Sequence, residues 1–372
     1  MSRTTVFWVL STTLAVSLFA SAAEPPPGQA SGETTTVTAA VVKTPWGEPD
    51  LQGIWANQTL TPLERPEAFA GRKELSPEDI AQLEQVAAET VLIRRDRRDG
   101  RPETDLARAY NDFWNDRGIL IKATKQPSLV IDPPDGRIPS FTPQALTKYS
   151  EWAKSTGRVG AAATLVGPRL VPGAESPEGI IDGLAGGDDG RGVRSSNPED
   201  RGHSERCLSW GLPKLPNSGY GYNANFQIVQ SPGYVTILYE MGWETRVIPV
   251  DPNREHRPQN VRLWLGDSIG RWDGNTLVVD TTNFSPKRHF MGSFETLHLV
   301  ERFTRADENT LEYQFTVDDP ATWEKPWTLS VPIPKLEAEV PQIFEYSCHE
   351  GNYGMTSLLQ GTRALERAKE LQ

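Results

Sequence analysis

The sequence predicts a mainly β protein: an antiparallel meander forming a barrel-like core, with helices added on its N-terminal and C-terminal sides. Three observations predict it. From Phe226 onward, short runs alternate apolar and polar residues, the period-two signature of strands buried on one face. Tight turn signals separate the runs at Ser231-Pro232-Gly233, Asp273-Gly274 and Ala306-Asp307-Glu308-Asn309. No helical periodicity falls between them, so neighbouring strands are expected to pair directly.

Taken in order, residues 1–23 read as a secretory signal. Arg3 supplies the positive start, Val6 to Phe19 the apolar centre, and Ala20, Ser21, Ala22 and Ala23 a small-residue cleavage site. That centre is short for a bilayer crossing, so no membrane span is expected after cleavage. Residues 24–42 form a Pro/Gly/Thr-rich tail whose composition favours disorder.

Residues 43–156 are expected to pack on the core as an extended and helical region. Pro45 to Trp55 sets Pro and Gly turns around aromatic anchors. Ser76-Pro77-Glu78-Asp79 is a helix start: a capping serine, a proline in the first helical position, and acids at the positive end of the helix dipole. Ile80, Leu83, Ala87 and Val91 follow at helical spacing. A second short helix is expected to carry Leu106, Tyr110 and Trp114, and a third, starting at Thr142-Pro143, to carry Leu146, Tyr149 and Trp152. Between them Ser128 to Asp132 reads as a strand, ended by Pro133-Pro134-Asp135-Gly136. Residues 157–205 are a long loop rich in Gly, Pro, Asp and Arg, of the kind that is either disordered or a functional lid.

The core is expected over residues 206–355. Its strands are read at 226–230, 234–240, 245–250, 261–265, 269–272, 275–283, 297–304, 311–318, 327–331 and 343–349. Residues 356–372 read as a closing helix with Leu358, Leu365, Ala368 and Leu371 on one face.

Composition bounds the function. The 372 residues carry a net charge of −11, which argues against nucleic acid or an anionic membrane surface as a partner. There are two cysteines, Cys207 and Cys348; in an exported chain they most simply form one disulfide, the competing reading being a free thiol beside His349. The five histidines form no H-x-x-x-H or H-x-H set, and no Gly-rich phosphate loop or dinucleotide fingerprint is present. Neither a metal nor a cofactor is expected.

Several stretches resemble a large family of exported bacterial proteins of uncharacterised function. They are PWGEPDLQGIW (45–55), YNDFW (110–114), SLVIDPPDGRIP (128–139), PEDRGHSERC (198–207), YNANFQIVQSPGYVTILYEM (222–241), RLWLGDSIGRWDGNTLVVDTTNF (262–284), LHLVERFT (297–304) and SCHEGNYGM (347–355). The resemblance implies a β-rich exported protein and carries over no substrate or catalytic residue. The loop before Asn197 is longer than is usual in such proteins.

Candidate site residues come from phase and position. Glu301 shares a strand face with Leu297, Leu299 and Phe303, so it is expected to point into the core, where a carboxylate must be paired or protonated. Arg246, Arg262 and Arg302 are its candidate partners. Cys348-His349-Glu350 ends the last expected strand at a mouth-like position, and His349, Glu350 and Glu301 are the candidates for general acid–base catalysis. Tyr222, Asn223 and Asn225 form a polar-aromatic cluster before the first hairpin and, with His298 and Arg246, are the candidates for contacting a substrate. Gly266-Asp267-Ser268-Ile269-Gly270 matches a hydrolase nucleophile elbow, with Asp280 and then His298 or His349 following. That elbow requires a helix after the serine, and a hairpin follows here, so the glycines read as turn or bulge residues.

The expectation is therefore a periplasmic or secreted protein with a lipocalin-like barrel pocket for a small hydrophobic or aromatic ligand, acting as a metal-free acid–base enzyme of isomerase, lyase or hydrolase type. Two alternatives stay open: a carrier without chemistry, and a carbohydrate-active enzyme suggested by the eleven tryptophans.

Overall fold

The computed structural model describes residues 42–96, 124–148, 196–200, 203, 206–216, 223–336, 341–348 and 353–370. Among them the chain builds strands β1 (Gly53–Ala56), β2 (Val130–Asp132), β3 (Asn225–Ser231), β4 (Tyr234–Tyr239), β5 (Glu244–Pro249), β6 (Asp267–Asp273), β7 (Thr276–Thr282), β8 (His298–Arg305), β9 (Thr310–Asp318) and β10 (Trp327–Pro334). They form two antiparallel sheets, a four-stranded one in the order β1-β3-β4-β5 and a six-stranded one in the order β2-β10-β9-β8-β7-β6. No helix among the described residues is long and apolar enough to cross a membrane.

Alternation explains the layers. Leu299, Glu301 and Phe303 of β8, Leu311, Tyr313, Phe315 and Val317 of β9, and Trp327, Leu329, Val331 and Ile333 of β10 all point inward, none more than 3% exposed. They meet Phe226, Ile228, Val235, Ile237 and Ile248 of the smaller sheet in one apolar cluster. Threonines, glutamates and glutamine take the intervening positions, the usual division in an antiparallel sheet wet on one side. Aromatic rings fill much of the interior: Phe303 stacks on Tyr313 with centroids 4.8 Å apart, and Phe315 meets Trp327 edge-on at 5.9 Å.

The two sheets touch along two seams, each marked by a single bridge. At one seam Val250, just past β5, bridges Gly270 of β6, and the Asp251 amide donates to the Gly270 carbonyl at 3.0 Å. Gly270 permits this approach, because a Cβ there would lie 3.2 Å from methyl carbons of both Ile248 and Val250. At the other seam Trp55 bridges Lys335, and the Leu336 amide donates to the Ile54 carbonyl at 2.8 Å. The reason the ladder there stays short lies in β10. The Ser330 amide points away from β9, to the Leu129 carbonyl, and the period of two puts the nitrogens of Pro332 and Pro334 on that same side. Prolines have no N–H to offer, so nothing pairs with β10 at those positions on that side.

Helix α1 (Pro77–Asp96) starts as expected. The Asp79 amide donates to the Ser76 hydroxyl at 3.2 Å and the Ser76 amide to the Asp79 carboxylate at 3.0 Å, a reciprocal cap. Residues 143–148 are helical, with the Ala145 amide donating to the Thr142 hydroxyl at 3.1 Å. Helix α2 (Gly354–Glu370) closes the chain.

Three expectations differ from the structure, and the closing helix leaves its apolar stripe exposed. Residues 261–265 form no strand; Leu263 makes one bridge to Phe284 before the chain turns at Gly266, whose φ of +69° suits glycine. Residues 343–348 form no strand either, since side-chain and covalent ties hold them in place of a ladder: the Phe344 amide donates to the buried Glu240 carboxylate at 3.1 Å, and Cys348 is bonded to Cys207. The apolar stripe of α2 is not covered, with Leu358 42% and Leu365 53% exposed. Residues 53–56, read only as part of an anchor, are strand β1, registered on β3 from Gly53 opposite Ile228 to Ala56 opposite Asn225. The secretory signal, the tail up to residue 41, the helix around Tyr110, Tyr149, Trp152 and most of the 157–205 loop lie outside the described residues.

Candidate functional site: a cleft at the β5–β6 seam

β5 and β6 run parallel from their bridge at Val250 and Gly270 and are otherwise unpaired with each other. Where they lie apart, toward Arg246 and Gly266, a cleft of about 390 Å³ opens, within the span of about 300–1,000 Å³ usual for small-molecule sites. Tyr234, Val247 and Pro249 from the outer face of the smaller sheet form one wall, and Leu263 and Leu265 form the other. Arg246 and Ser268 lie at its inner end; Thr245, Arg254, Arg257, Gly266 and Asp267 also line it. The connection 251–266 carries five of the lining residues, Arg254, Arg257, Leu263, Leu265 and Gly266, and is tied down at several points. The Asn283 side-chain amide donates to the Arg257 carbonyl at 2.8 Å, and Asp267 accepts from the Arg257 amide at 2.8 Å.

Behind the cleft lies a buried polar network. The Arg246 guanidinium is 2.6 Å from the Glu301 carboxylate. It also donates through Nε to Ser268 at 2.9 Å and through Nη2 to Thr281 at 2.6 Å. The Tyr313 hydroxyl donates to the other Glu301 oxygen at 2.9 Å. Burial pushes the Tyr239 and Tyr313 hydroxyls up, and the Glu301 charge adds to that, so both stay protonated. Burial works against the Arg246 charge, but the Glu301 carboxylate outweighs it and pushes the guanidinium up. The network is closed on itself: each Glu301 oxygen already has a partner.

On the outer face of β6, β7 and β8 carboxylates and imidazoles alternate. Asp267 faces His256 Nδ1 at 3.2 Å, His256 Nε2 faces Asp280 at 2.9 Å, and the other Asp280 oxygen faces His298 Nε2 at 2.9 Å. Asp318 lies 3.9 Å beyond His298 Nδ1. The hydrogen bond to Asp280 pushes the His298 imidazole up. Burial would raise the Asp280 carboxyl, but the two imidazoles outweigh it and hold it low.

No family model matches the chain, and no curated protein matches it. Among solved structures the chain is similar to a crystal structure of a mutant of the fluorescent protein UnaG, with a TM-score of 0.21 and 12% identity. That similarity covers 37% of this chain and 87% of the other. The site therefore stands on its own geometry.

Of the sequence-derived candidates, the structure brings Glu301 and Arg246 together. Arg262 instead donates to the Glu295 carbonyl at 2.9 Å, and Arg302 pairs with Asp273 at 2.9 Å. His298 sits on the opposite face of β8 from Glu301, three residues away along a period of two. Ser268 and Asp280 likewise face opposite sides: Ser268 bonds Thr281 inside at 3.1 Å, while Asp280 serves the histidines outside. The Gly-x-Ser-x-Gly stretch therefore assembles no nucleophilic triad with Asp280 and His298; Gly266 makes the turn and Gly270 the close approach. Asn225 lies at the far end of β3, its side chain donating to Glu240 at 2.7 Å, and Asn223 precedes it with a left-handed φ of +54°. Neither lines the cleft. Tyr222, His349 and Glu350 lie outside the described residues. Cys207 and Cys348 form a disulfide.

Sequence reasoning missed His256, Arg254, Arg257 and Asp267. The first three sit on a connection without periodicity and Asp267 opens β6 directly after it, and only the fold sets that connection beside β5 and β7.

Proposed function

We propose that this is an exported protein that binds a small molecule with an apolar or aromatic body in the cleft at the β5–β6 seam. The observation that carries the reading is the cleft itself, in which apolar side chains (Tyr234, Val247, Pro249, Leu263 and Leu265) face each other and polar groups (Thr245, Arg246, Arg254, Arg257, Asp267 and Ser268) share the lining. The two sheets act together as a barrel-like wall, joined edge to edge at the Val250–Gly270 and Trp55–Lys335 bridges. Export is supported by the signal-like residues 1–23 and by the disulfide, which suits an oxidising compartment.

Binding is favoured over acid–base catalysis because Glu301 is not itself in the cleft lining and its oxygens are already engaged, one by Arg246 at the inner end of the cleft and the other by Tyr313. A catalytic reading draws support from Asp267, which lines the cleft and is held by His256. A glycosidase would need two carboxylates facing each other across the cleft, and among the described residues Asp267 is the one carboxylate in its lining.

Native mass spectrometry of protein isolated from its source without denaturation tests the reading, alongside a Val247→Trp variant that fills the cleft. The expected result is a co-purifying small molecule on the wild type that the variant lacks. Equal loading of both would place the ligand elsewhere.

A further inference from the structure

The cleft's charge is opposite to that of the chain. The whole protein carries −11, yet among the described residues the charged groups lining the cleft are three arginines and a single aspartate. Two of the arginines are neutralised in place. Arg246 answers Glu301 at 2.6 Å, and Arg257 Nε answers Asp267 at 3.3 Å. Asp267 is further occupied by the Arg257 amide and by His256, so it has little capacity left for a third cation. Arg254 makes no ion pair among the described residues. The nearby Asp251 carboxylate caps the Asn253 amide at 2.9 Å, in the turn where the Arg254 amide reaches the Asp251 carbonyl at 3.2 Å. Within the cleft lining, among the described residues, one positive charge is thus left over, on a solvent-exposed side chain beside the apolar groups of the walls.

We infer that the ligand of this cleft is an amphipathic organic acid in its ionised form. This rests on the binding reading above and adds the ligand's class. The oxyanion head sits on Arg254, with Arg257 beside it, and the apolar body lies against Tyr234, Val247, Leu263 and Leu265. A guanidinium offers a planar fork of donors matched to a carboxylate or sulfonate, so the pairing fixes orientation as well as charge. An organic cation would meet the surplus positive charge, and a bare inorganic anion would leave the apolar walls unused. The connection that carries both arginines is already anchored through His256 and through the Arg257 carbonyl, so little ordering is left for binding to impose.

Two dyes with the same aromatic body test this: 8-anilinonaphthalene-1-sulfonate, which is anionic, and N-phenyl-1-naphthylamine, which is neutral. Fluorescence titrations are run on the wild type, Arg254→Gln and Val247→Trp, with sodium sulfate as competitor. The expected result is tighter binding of the sulfonate by the wild type, weakened about tenfold or more in Arg254→Gln. Neutral-dye affinity should stay within about twofold in that variant. Both dyes should be lost in Val247→Trp, and sulfate at dye-like concentration should displace neither. If both dyes bind and Arg254→Gln weakens neither, the organic-acid inference is overturned while the cleft reading stands. Displacement by dilute sulfate would point to an inorganic-anion site and overturn it as well. If neither dye binds the wild type, the cleft reading falls and this inference falls with it.

Discussion

Arg246 of β5 and Glu301 of β8 meet at 2.6 Å, the carboxylate wholly buried and the guanidinium nearly so, and the pair joins one sheet to the other. Charges taken out of water this completely are held by each other and by the hydroxyls of Tyr313, Ser268 and Thr281. Glu301→Gln leaves the guanidinium buried without its counter-ion and should cost about 3–5 kcal/mol in urea unfolding. Replacing both, Arg246→Met with Glu301→Leu, should recover most of that loss. A Glu301→Gln protein as stable as the wild type would show that the pair holds nothing together.

Gly270 sets how closely β5 and β6 approach. Gly270→Val forces its methyls against Ile248 and Val250, where even a Cβ would sit at 3.2 Å. Overpacking of this kind costs about 1–3 kcal/mol, and the displaced strands should also weaken dye binding at the cleft. Unchanged stability and unchanged binding would separate the bridge from the site.

The Asp280–His298 contact makes stability depend on pH in two directions. His298 is raised, so its contribution is complete below its unfolded value of about 6.5 and fades as pH climbs through the higher folded value. Asp280 is held low, so its contribution is complete above about 3.9 and is lost only as pH falls through the depressed folded value. The stability lost in His298→Gln should therefore be largest near pH 5 and shrink toward about pH 9. An NMR titration of the His298 ring should place its midpoint above the ordinary histidine value, and a midpoint below it would refute the contact.

The Cys207–Cys348 bond spans a sequence separation of 141 residues and anchors the segment before α2. Cys207→Ser with Cys348→Ser should lower stability by about 2–5 kcal/mol, read from unfolding midpoints without reductant. No change between the oxidised protein and the double variant would mean that the bond adds nothing to the fold.

Much of the fold was legible because alternation reports local burial. β3 to β10 fall within a few residues of the expected spans, and the inward direction of Glu301 follows from its neighbours Leu299 and Phe303. The same alternation misled at 343–348, where the residues have a strand's pattern but find a side chain and a disulfide instead of a free edge. β1 was hidden for the opposite reason: Gly53 to Ala56 has little pattern of its own and becomes a strand by pairing with residues 169 to 175 positions away. The cleft was illegible in principle. Its walls come from β4, β5 and the 251–266 connection, and nothing local marks Arg254 as the charge left over once Asp267 and Glu301 have taken their partners.

The most direct measurement is a two-dimensional ¹H–¹⁵N NMR titration with N-phenyl-1-naphthylamine, with assigned backbone amides. The account predicts that the largest shifts fall on Tyr234, Val247, Leu263, Leu265 and Gly266, the residues around the β5–β6 seam. Shifts centred on other parts of the molecule, with those amides unmoved, would contradict it.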